Sequence, residues 1–165
     1  MANLEPLIQS IPVAPLKLAS LEGCRTLADQ VNNYLVSFRH ESPTNVGQAD
    51  SLQGYCADSY LLECECPRFG SGEGKGVLKE SVRGCALFIM VDVTNYSLTY
   101  RVNGYENHMS PDNHYQDLKR IISAADGKAR RINVIMPFLY EGRQHKRSKR
   151  ESLDCALMLQ ELVDM

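Results

Sequence analysis

The segment spanning residues 136–162, MPFLYEGRQHKRSKRESLDCALMLQEL, carries the side chains that are best suited to binding an anion. Within it, residues 142–150 contain no carboxylate and five basic side chains: Arg143, Lys146, Arg147, Lys149 and Arg150. The other 13 of the 18 basic side chains are opposed by 20 carboxylates. A basic run confined to one segment of an otherwise acidic chain favours a local anion site over a nucleic-acid surface, which would spread its charge more widely.

Arg143 and Gln144 have the chemistry to recognise a nucleotide. A guanidinium can hold a phosphate through two parallel N–H bonds, and an amide side chain can hydrogen-bond a base or a phosphate oxygen. Lys146 and Arg147 add less directional attraction. Together these side chains suit a polyanion, and a nucleoside triphosphate is the natural candidate. A solvated basic loop without a ligand is the alternative, since a charge run alone is usually that.

The basic run also lies where α/β proteins bind ligands. The sequence predicts a buried strand at 131–137 directly before it. After it, Ser148-Lys-Arg-Glu151 has the form of a capping box, which would begin a helix with four inward side chains: Leu153, Ala156, Leu157 and Leu162. Ligands of such sheets bind outside the carboxyl ends of strands, and a helix N-terminus stabilises a nearby anion by ~0.3–1 kcal/mol.

The other elements alternate between strand and helix patterns. The sequence predicts strands at 15–20, 58–66 and 86–93, helices at 22–39 and 110–127, a polar loop at 40–57 and an irregular segment at 94–109. The second helix has a clear start at Ser110, Pro111 and Asp112, and Gly127 is a plausible stop. Its apolar stripe consists of Tyr115, Leu118, Ile121, Ile122 and Ala125. This alternation predicts an α/β fold with a mainly parallel sheet flanked by helices.

Composition limits the class of protein. At 165 residues, with 44% hydrophobic and 23% charged side chains, the sequence fits a single domain over 1–165, with an irregular tail at 1–14. We expect a cytoplasmic protein with no membrane partner, because no secretory signal and no membrane-length apolar run is visible. The six cysteines are then expected to be reduced, and Cys64-Glu-Cys66 lacks the second ligand pair of a zinc site.

The glycine-rich stretch GSGEGKG, at residues 70–76, predicts a turn or the tip of a hairpin. It resembles a phosphate-binding loop only superficially. A Walker A motif has four residues between its first glycine and Gly-Lys, followed by Ser or Thr. Here three residues separate Gly70 from Gly74-Lys75, and Gly76 follows. A hairpin tip without a ligand therefore remains an open alternative.

Three segments, in the same order and at similar spacing, resemble ribose-phosphate pyrophosphokinases, also called PRPP synthetases. RFGSGEGKGVLKESVRG (68–84) is similar to the family's Phe-Ser-Asp-Gly-Glu segment and the Glu-Ser-Val-Arg-Gly that closes it. DNHYQDLKRIISA (112–124) is similar to the helix that follows. VIMPFLYEGRQHKRSKRESLDCALMLQEL is similar to the family's ATP-binding segment, a strand ending in Pro followed by Ala-Arg-Gln-Asp and basic residues.

The resemblance implies a phosphoribosyltransferase-like N-terminal domain with a β-hairpin flap. Members transfer the diphosphoryl group of ATP to ribose 5-phosphate, which gives PRPP and AMP with Mg²⁺, and they are homo-oligomers that bind ATP where subunits meet. Carried over to this sequence, the ATP-binding residues would be Phe69, Ser71, Gly72, Glu73, Arg143, Gln144 and Lys146. Phe69 would lie against adenine, and the flap residues Ser71, Gly72 and Glu73 would reach ATP in a neighbouring subunit.

The sequence departs from the family pattern in ways that indicate a divergent bacterial-type branch. His145 replaces the Asp after Arg-Gln, Glu141-Gly142 replaces Tyr-Ala, Ser71 replaces Asp or Asn, and 94–109 is longer than the usual connection. The family's Asp-Leu-His metal motif and its ribose 5-phosphate loop do not occur. We therefore expect the N-terminal, ATP-binding half of a longer two-domain enzyme, which holds no catalytic or Mg²⁺-binding residue and is inactive alone.

Two other functions stay open at this point. The changes at Ser71 and His145 also permit a non-catalytic relative that acts as a binding or regulatory subunit. An RNA-binding module that uses residues 146–150 is the third hypothesis. The basic run is confined to one loop, and no aromatic stacking motif accompanies it, so we expect no nucleic-acid partner.

Overall fold

The computed structural model describes residues 14–41 and 54–165. The tail predicted at 1–14, except its last residue, and residues 42–53 of the predicted polar loop lie outside these ranges. The elements in chain order are β1 (Leu16–Ser20), a 3-10 turn (Glu22–Cys24), α1 (Arg25–Glu41), β2 (Leu61–Leu62), β3 (Cys64–Glu65), β4 (Val77–Leu78), β5 (Ala86–Met90), β6 (Thr99–Val102), β7 (Tyr105–His108), α2 (Pro111–Ala125), β8 (Arg131–Ile135) and α3 (Asp154–Asp164).

Four strands form a parallel sheet in the order β2-β1-β5-β8. The two central strands pair in register over their full length, from Leu16 opposite Ala86 to Ser20 opposite Met90. Helix α1 connects β1 to β2, and α2 connects β5 to β8, as parallel pairing requires. The predicted α/β fold with a mainly parallel sheet is confirmed. No helix in the described ranges has both the length and the apolar character needed to cross a bilayer.

Helices cover both faces of the sheet, and alternate side chains of β5 enter two separate cores. Leu87 and Ile89 are fully buried in the larger cluster, where Leu118 and Ile121 of α2 pack against them. Phe88 and Met90 face the smaller cluster beneath α1, which also contains Leu18, Cys24, Ala28 and Val31. A strand buried on both faces needs a continuous apolar run, and this explains the sequence ALFIM.

Helix α2 begins and ends as its sequence predicts. The hydroxyl oxygen of Ser110 accepts a hydrogen bond from the amide of Asn113 at 3.3 Å, and Pro111 occupies the first helical turn. Asp126 then adopts a left-handed conformation (φ 49°) that ends the helix, one residue before the predicted stop at Gly127. All five predicted apolar positions of α2 are buried.

Two predicted segments have a different structure. The strand predicted at 58–66 is two short strands, because the chain leaves the parallel sheet after Leu62 and β3 pairs antiparallel with β4. The irregular segment predicted at 94–109 contains the hairpin β6–β7, with all four residues of each strand paired. Its turn, Asn103-Gly104, has positive φ at both residues, and this dipeptide is the strong hairpin signal that the sequence analysis missed.

The end of the chain also corrects the prediction. Ser148 and Glu151 form their capping contact, in which the Ser148 amide and hydroxyl both donate to the Glu151 carboxylate, but no helix follows at once. Helix α3 starts at Asp154 and buries Cys155 and Met158. Of the four side chains predicted to face inward, Leu153 and Leu162 are half-buried, whereas Ala156 and Leu157 are exposed. The residues of α3 that are buried in the core are therefore Cys155 and Met158 rather than Ala156 and Leu157.

Strand β8 is half-buried rather than buried, which is a further correction of the prediction at 131–137. It pairs only with β5 among the described strands and therefore forms an edge of the sheet. Ile132 and Val134 reach the larger core, while Ile135 at its end is 37% exposed. The edge position leaves the loop after β8 open to solvent.

The glycine-rich stretch packs against α2 more closely than any side chain would permit. A Cβ atom at Gly76 would lie 2.3 Å from the carbonyl oxygen of Arg120 and 2.5 Å from its carbonyl carbon. Because both are backbone atoms of a helix, they cannot move aside. Gly76 is therefore required for packing, independently of any ligand.

We predict that Gly76→Ala destabilises the fold by about 1–3 kcal/mol or more, because the new methyl group overlaps the α2 backbone. Urea unfolding followed by circular dichroism measures the change. Gly70→Ala is the matched control in the same loop, since nothing lies within 4 Å of a Cβ there. Equal stability of Gly76→Ala and the parent chain would contradict this packing.

Candidate functional site

The loop after β8 is wound into successive tight turns that place Arg143 and Gln144 at its apex. The Gly142 amide donates to the carbonyl of Leu139 at 3.1 Å, and the Gln144 amide donates to the carbonyl of Glu141 at 2.9 Å. Glu141 has a left-handed backbone (φ 55°), which is unfavourable for a non-glycine residue and reverses the chain before Arg143. The loop is thus ordered by its own backbone.

The basic side chains of this loop are exposed: Arg143, Lys146, Arg147, Lys149 and Arg150. None of them forms an ion pair within the described part of the chain. Gln144 is half-buried, and its backbone carbonyl accepts a hydrogen bond from the backbone amide of Cys155 at 3.3 Å. One backbone amide in the first turn of α3 therefore holds the loop. The sequence analysis expected the amides of this turn to be available to an anion.

An aromatic cluster fixes the start of this loop to α2 and α3. The ring of Tyr140 stacks on that of Tyr115, with centroids 4.5 Å apart, and its hydroxyl donates to Asp112 at 2.7 Å. The Tyr115 hydroxyl donates to Glu161 of α3 at 2.9 Å, and Lys119 donates to the same carboxylate. Burial, followed by the hydrogen bond to a carboxylate, raises the pKa of both tyrosines, so both hydroxyls remain donors at neutral pH.

Residues 67–75 form the expected hairpin flap. The Phe69 amide donates to the carbonyl of Glu73 at 2.7 Å, and the Gly72 amide donates to the carbonyl of Phe69 at 2.9 Å. Gly72 needs its positive φ of 91° for this turn. The Ser71 hydroxyl donates to the Glu73 carboxylate at 2.8 Å, and the Phe69 ring is 52% exposed. The four flap residues that the sequence analysis named therefore share one exposed tip.

A buried charge cluster that the sequence analysis did not name holds the base of the flap. Arg68 donates two parallel hydrogen bonds to Asp117 of α2, at 2.6 and 2.8 Å, and Arg120 donates a third to the same carboxylate at 2.6 Å. The side chains of Arg68 and Asp117 are only 9% and 6% exposed. The i, i+3 spacing of Asp117 and Arg120 was visible in the sequence, but the pairing with Arg68 was not.

The flap and the basic loop do not meet within the chain. No hydrogen bond or ion pair of the described ranges joins Phe69 or Glu73 to Arg143 or Gln144. The structure therefore assembles the seven predicted residues into two groups of neighbours, with the flap tip in one place and the loop after β8 in another.

A cleft of about 530 Å³ lies above the carboxyl ends of β1 and β2, between the flap base and hairpin β6–β7. Its charged side chains are already paired: Glu22 with Arg25 at 2.8 Å, Arg68 with Asp117, and Glu65 with Lys79 outside the cleft. Burial raises the pKa of its thiols, Cys64 to about 11 and Cys66 to about 12. The described cations of the cleft are therefore already paired, and its thiols are protonated at neutral pH.

The described residues do not fit a resident metal ion. They contain no group of three or more His, Cys, Asp or Glu side chains close enough to ligate one. The six cysteines are all free thiols. Residues 14–41 and 54–165 thus contain no preformed cluster of such ligands, and no chemical step is assigned to the Mg²⁺ that the resemblance implies.

The family model for the N-terminal domain of ribose phosphate pyrophosphokinase matches residues 16–165. The chain belongs to this family. The match includes both the flap and the loop after β8, so the two groups of candidate residues lie in the part of the chain that defines a ribose phosphate pyrophosphokinase N-terminal domain.

A solved structure shows the same fold. Phosphoribosylpyrophosphate synthetase from Mycobacterium smegmatis superimposes with a TM-score of 0.60 at 23% sequence identity, over 91% of this chain. The superposition covers 39% of the M. smegmatis chain, so this protein spans less than half of that enzyme's length. The search of curated proteins found no match. The phosphoribosyltransferase-like fold that the sequence analysis expected is confirmed by this likeness.

We predict that Asp117→Asn costs about 3–5 kcal/mol of folding free energy, because it leaves two buried guanidinium groups without a counter-charge. Urea unfolding measures the loss. Glu80→Gln is the control, since the Glu80 side chain is 53% exposed and its pair with Lys17 is worth less than about 1 kcal/mol. A loss no larger than that of the control would show that the cluster does not stabilise the flap base.

A pH-dependent prediction concerns Glu161. The hydrogen bond from Lys119, followed by that from Tyr115, lowers the pKa of this carboxyl below its usual 4.5. A lowered pKa in the folded state adds stability that is fully present above the unfolded-state pKa and is lost as the pH falls through the folded-state pKa. Because the side chain is 46% exposed, the contribution is under about 1 kcal/mol.

Glu161→Gln is therefore expected to be slightly less stable than the parent chain at pH 7, and the difference is expected to shrink as the pH falls through the folded-state pKa of Glu161. Thermal unfolding from pH 7 to pH 3 checks this convergence. A stability difference that stays constant over the range would mean that the carboxylate charge has no part in it.

Proposed function

We propose that the chain is the ATP-binding domain of a ribose-phosphate diphosphokinase, which transfers the diphosphoryl group of ATP to ribose 5-phosphate and gives PRPP and AMP. One observation carries the proposal. In a chain of this family, the loop beyond the carboxyl end of β8 presents exposed cations that have no counter-charge among the described residues. The loop lies outside the carboxyl end of a parallel strand, which is the side of an open α/β sheet on which ligands bind.

In this proposal Arg143, Gln144 and Lys146 bind the phosphates of ATP. Phosphoryl transfer depends mainly on positioning and on charge stabilisation of the phosphoryl oxygens, which guanidinium and ammonium groups provide. The turns from Leu139 to Gln144 and the Tyr140–Tyr115 stack hold the loop in place before the ligand arrives, so little ordering cost remains on binding.

The flap completes the site from a second subunit. Phe69 lies against adenine, and Ser71, Gly72 and Glu73 contact the nucleotide from the flap tip. Because the flap tip and the basic loop do not adjoin in one chain, we propose a homo-oligomer in which the flap of one subunit covers the basic loop of another. The exposure of Phe69 supports this arrangement, since 52% of this large apolar residue is open to solvent.

Mg²⁺ is part of the same proposal for the whole enzyme, and we propose that its protein ligands lie outside this sequence. The described residues contain no group of three or more His, Cys, Asp or Glu side chains that could hold a metal ion. A cytoplasmic location belongs to it as well, and the six free thiols support a reducing compartment.

We predict that Arg143→Ala weakens ATP binding by about tenfold or more, because it removes a charged hydrogen bond to phosphate. Isothermal titration of the chain with ATP measures the dissociation constant. Arg150→Ala is the matched control, since it removes the same charge from the same loop but lies outside the proposed set. Its effect should remain within about twofold.

The competing functions give different results in this experiment. Equal weakening by the two variants would show attraction to the whole basic run, which contradicts a specific phosphate contact. Salt-sensitive RNA binding without nucleotide preference would favour the RNA-binding hypothesis instead. Assembly of the chain without ATP binding would favour a non-catalytic subunit.

A further inference from the structure

Strand β6 turns one of its faces toward the rest of the domain. Burial alternates along it: Thr99 and Arg101 are exposed, whereas Tyr100 and Val102 are half-buried. Because successive side chains of a strand point to opposite sides, Tyr100 and Val102 share one face of the hairpin. That face packs on the flap.

Two contacts join this face to the flap. A Cβ atom at Gly72 would lie 3.1 Å from Cγ2 of Val102, so the flap tip packs directly on the Val102 side chain. The guanidinium of Arg68 lies over the ring of Tyr100, with its Cζ atom 5.2 Å from the ring centroid. The hairpin therefore meets the flap at its tip and at its base.

The hairpin is itself firmly attached to the domain. The buried ring of His114, on α2, hydrogen-bonds through Nε2 to the carbonyl of Asn95 at 2.7 Å. The Met109 amide donates to the carbonyl of Leu98 at 2.9 Å, which closes the base of the hairpin. Above this base, the rings of Tyr96 and His108 stack with centroids 4.4 Å apart. These contacts make the hairpin a stiff support rather than a loose loop.

We propose that hairpin β6–β7 positions the flap for nucleotide binding, with Tyr100 and Val102 as the positioning residues. Tyr100 holds the Arg68 guanidinium that is bonded to Asp117, and Val102 limits the movement of the tip at Gly72. The proposal rests on the proposed function for the role of the flap. In that function, a flap that reaches into another subunit has no support from its own ligand pocket, and hairpin β6–β7 would supply that support.

The chain contains no tryptophan, so Phe69→Trp introduces a single fluorescent reporter at the flap tip. In this background, Tyr100→Ala and Val102→Ala are each expected to lower the steady-state anisotropy of Trp fluorescence and to increase its quenching by acrylamide. Arg101→Ala lies on the exposed face of the same strand and should change neither. Tyr100→Phe keeps the aromatic face beneath Arg68 and should behave as the parent.

ATP affinity is measured separately, in chains that keep Phe69. Tyr100→Ala and Val102→Ala should each weaken ATP binding by about three- to tenfold, whereas Arg101→Ala and Tyr100→Phe leave it unchanged. Tyr100→Ala and Val102→Ala are examined separately, so that either can report if the other does not fold.

The two readouts separate the possible failures. A flap that stays as rigid in both alanine variants as in the parent overturns the positioning role, and so does equal loosening by Arg101→Ala. A flap that loosens as expected in a protein that binds no ATP supports the positioning role and refutes the proposed function. Loosening without any loss of affinity overturns the link between flap position and nucleotide binding.

Discussion

The position of the flap base depends on one carboxylate, that of Asp117. It lies between the guanidinium groups of Arg68 and Arg120, and the group of three is largely out of water. Burying charges is costly unless they are paired and fully hydrogen-bonded, and the bidentate contact from Arg68 meets that condition. Two glycines of the flap lie where a side chain would collide with this cluster or with α2. A Cβ atom at Gly74 would overlap the Arg68 guanidinium, and one at Gly76 would overlap the α2 backbone. The charge cluster and the close contact between Gly76 and α2 therefore both favour the same path of the flap along the helix.

Charges serve two different purposes in this domain, and their pairing distinguishes them. Arg68 and Arg120 share the single carboxylate of Asp117, so they build the structure even though the three groups together keep a net charge of +1. The cations of 143–150 have no such partners among the described residues, and they lie on an edge of the sheet beyond β8. The loop therefore presents several unpaired cations to an anion. The described cations of the cleft, Arg25 and Arg68, are each already paired with a carboxylate.

The parallel sheet, α2 and the flap could be predicted because each has a strong local signal: the apolar run ALFIM, the Ser110-Pro111 start and the glycine-rich tip. The start of α3 could not. Its capping-box pattern at Ser148 is satisfied locally, and the position of the helix is decided by where Cys155 and Met158 meet the core. Likewise, no local pattern reveals that Arg68 pairs with Asp117, 49 residues away. The start of α3 and the Arg68–Asp117 pair thus depend on contacts between residues that are far apart in the sequence.

The departures from the family pattern are compensated within the loops that contain them. A carboxylate at position 71 would face that of Glu73, whereas the Ser71 hydroxyl donates to it and fixes its orientation. At position 145, Nδ1 of the histidine lies 3.1 Å from the carbonyl of Gly142, and this contact requires a donor, because a carbonyl oxygen only accepts. An ionised aspartate could not supply one. Each substitution thus adds a hydrogen bond that holds a turn, while Arg143 and Gln144 remain in place. Ser71 and His145 thus support the turns of the flap tip and of the loop after β8 by their own hydrogen bonds.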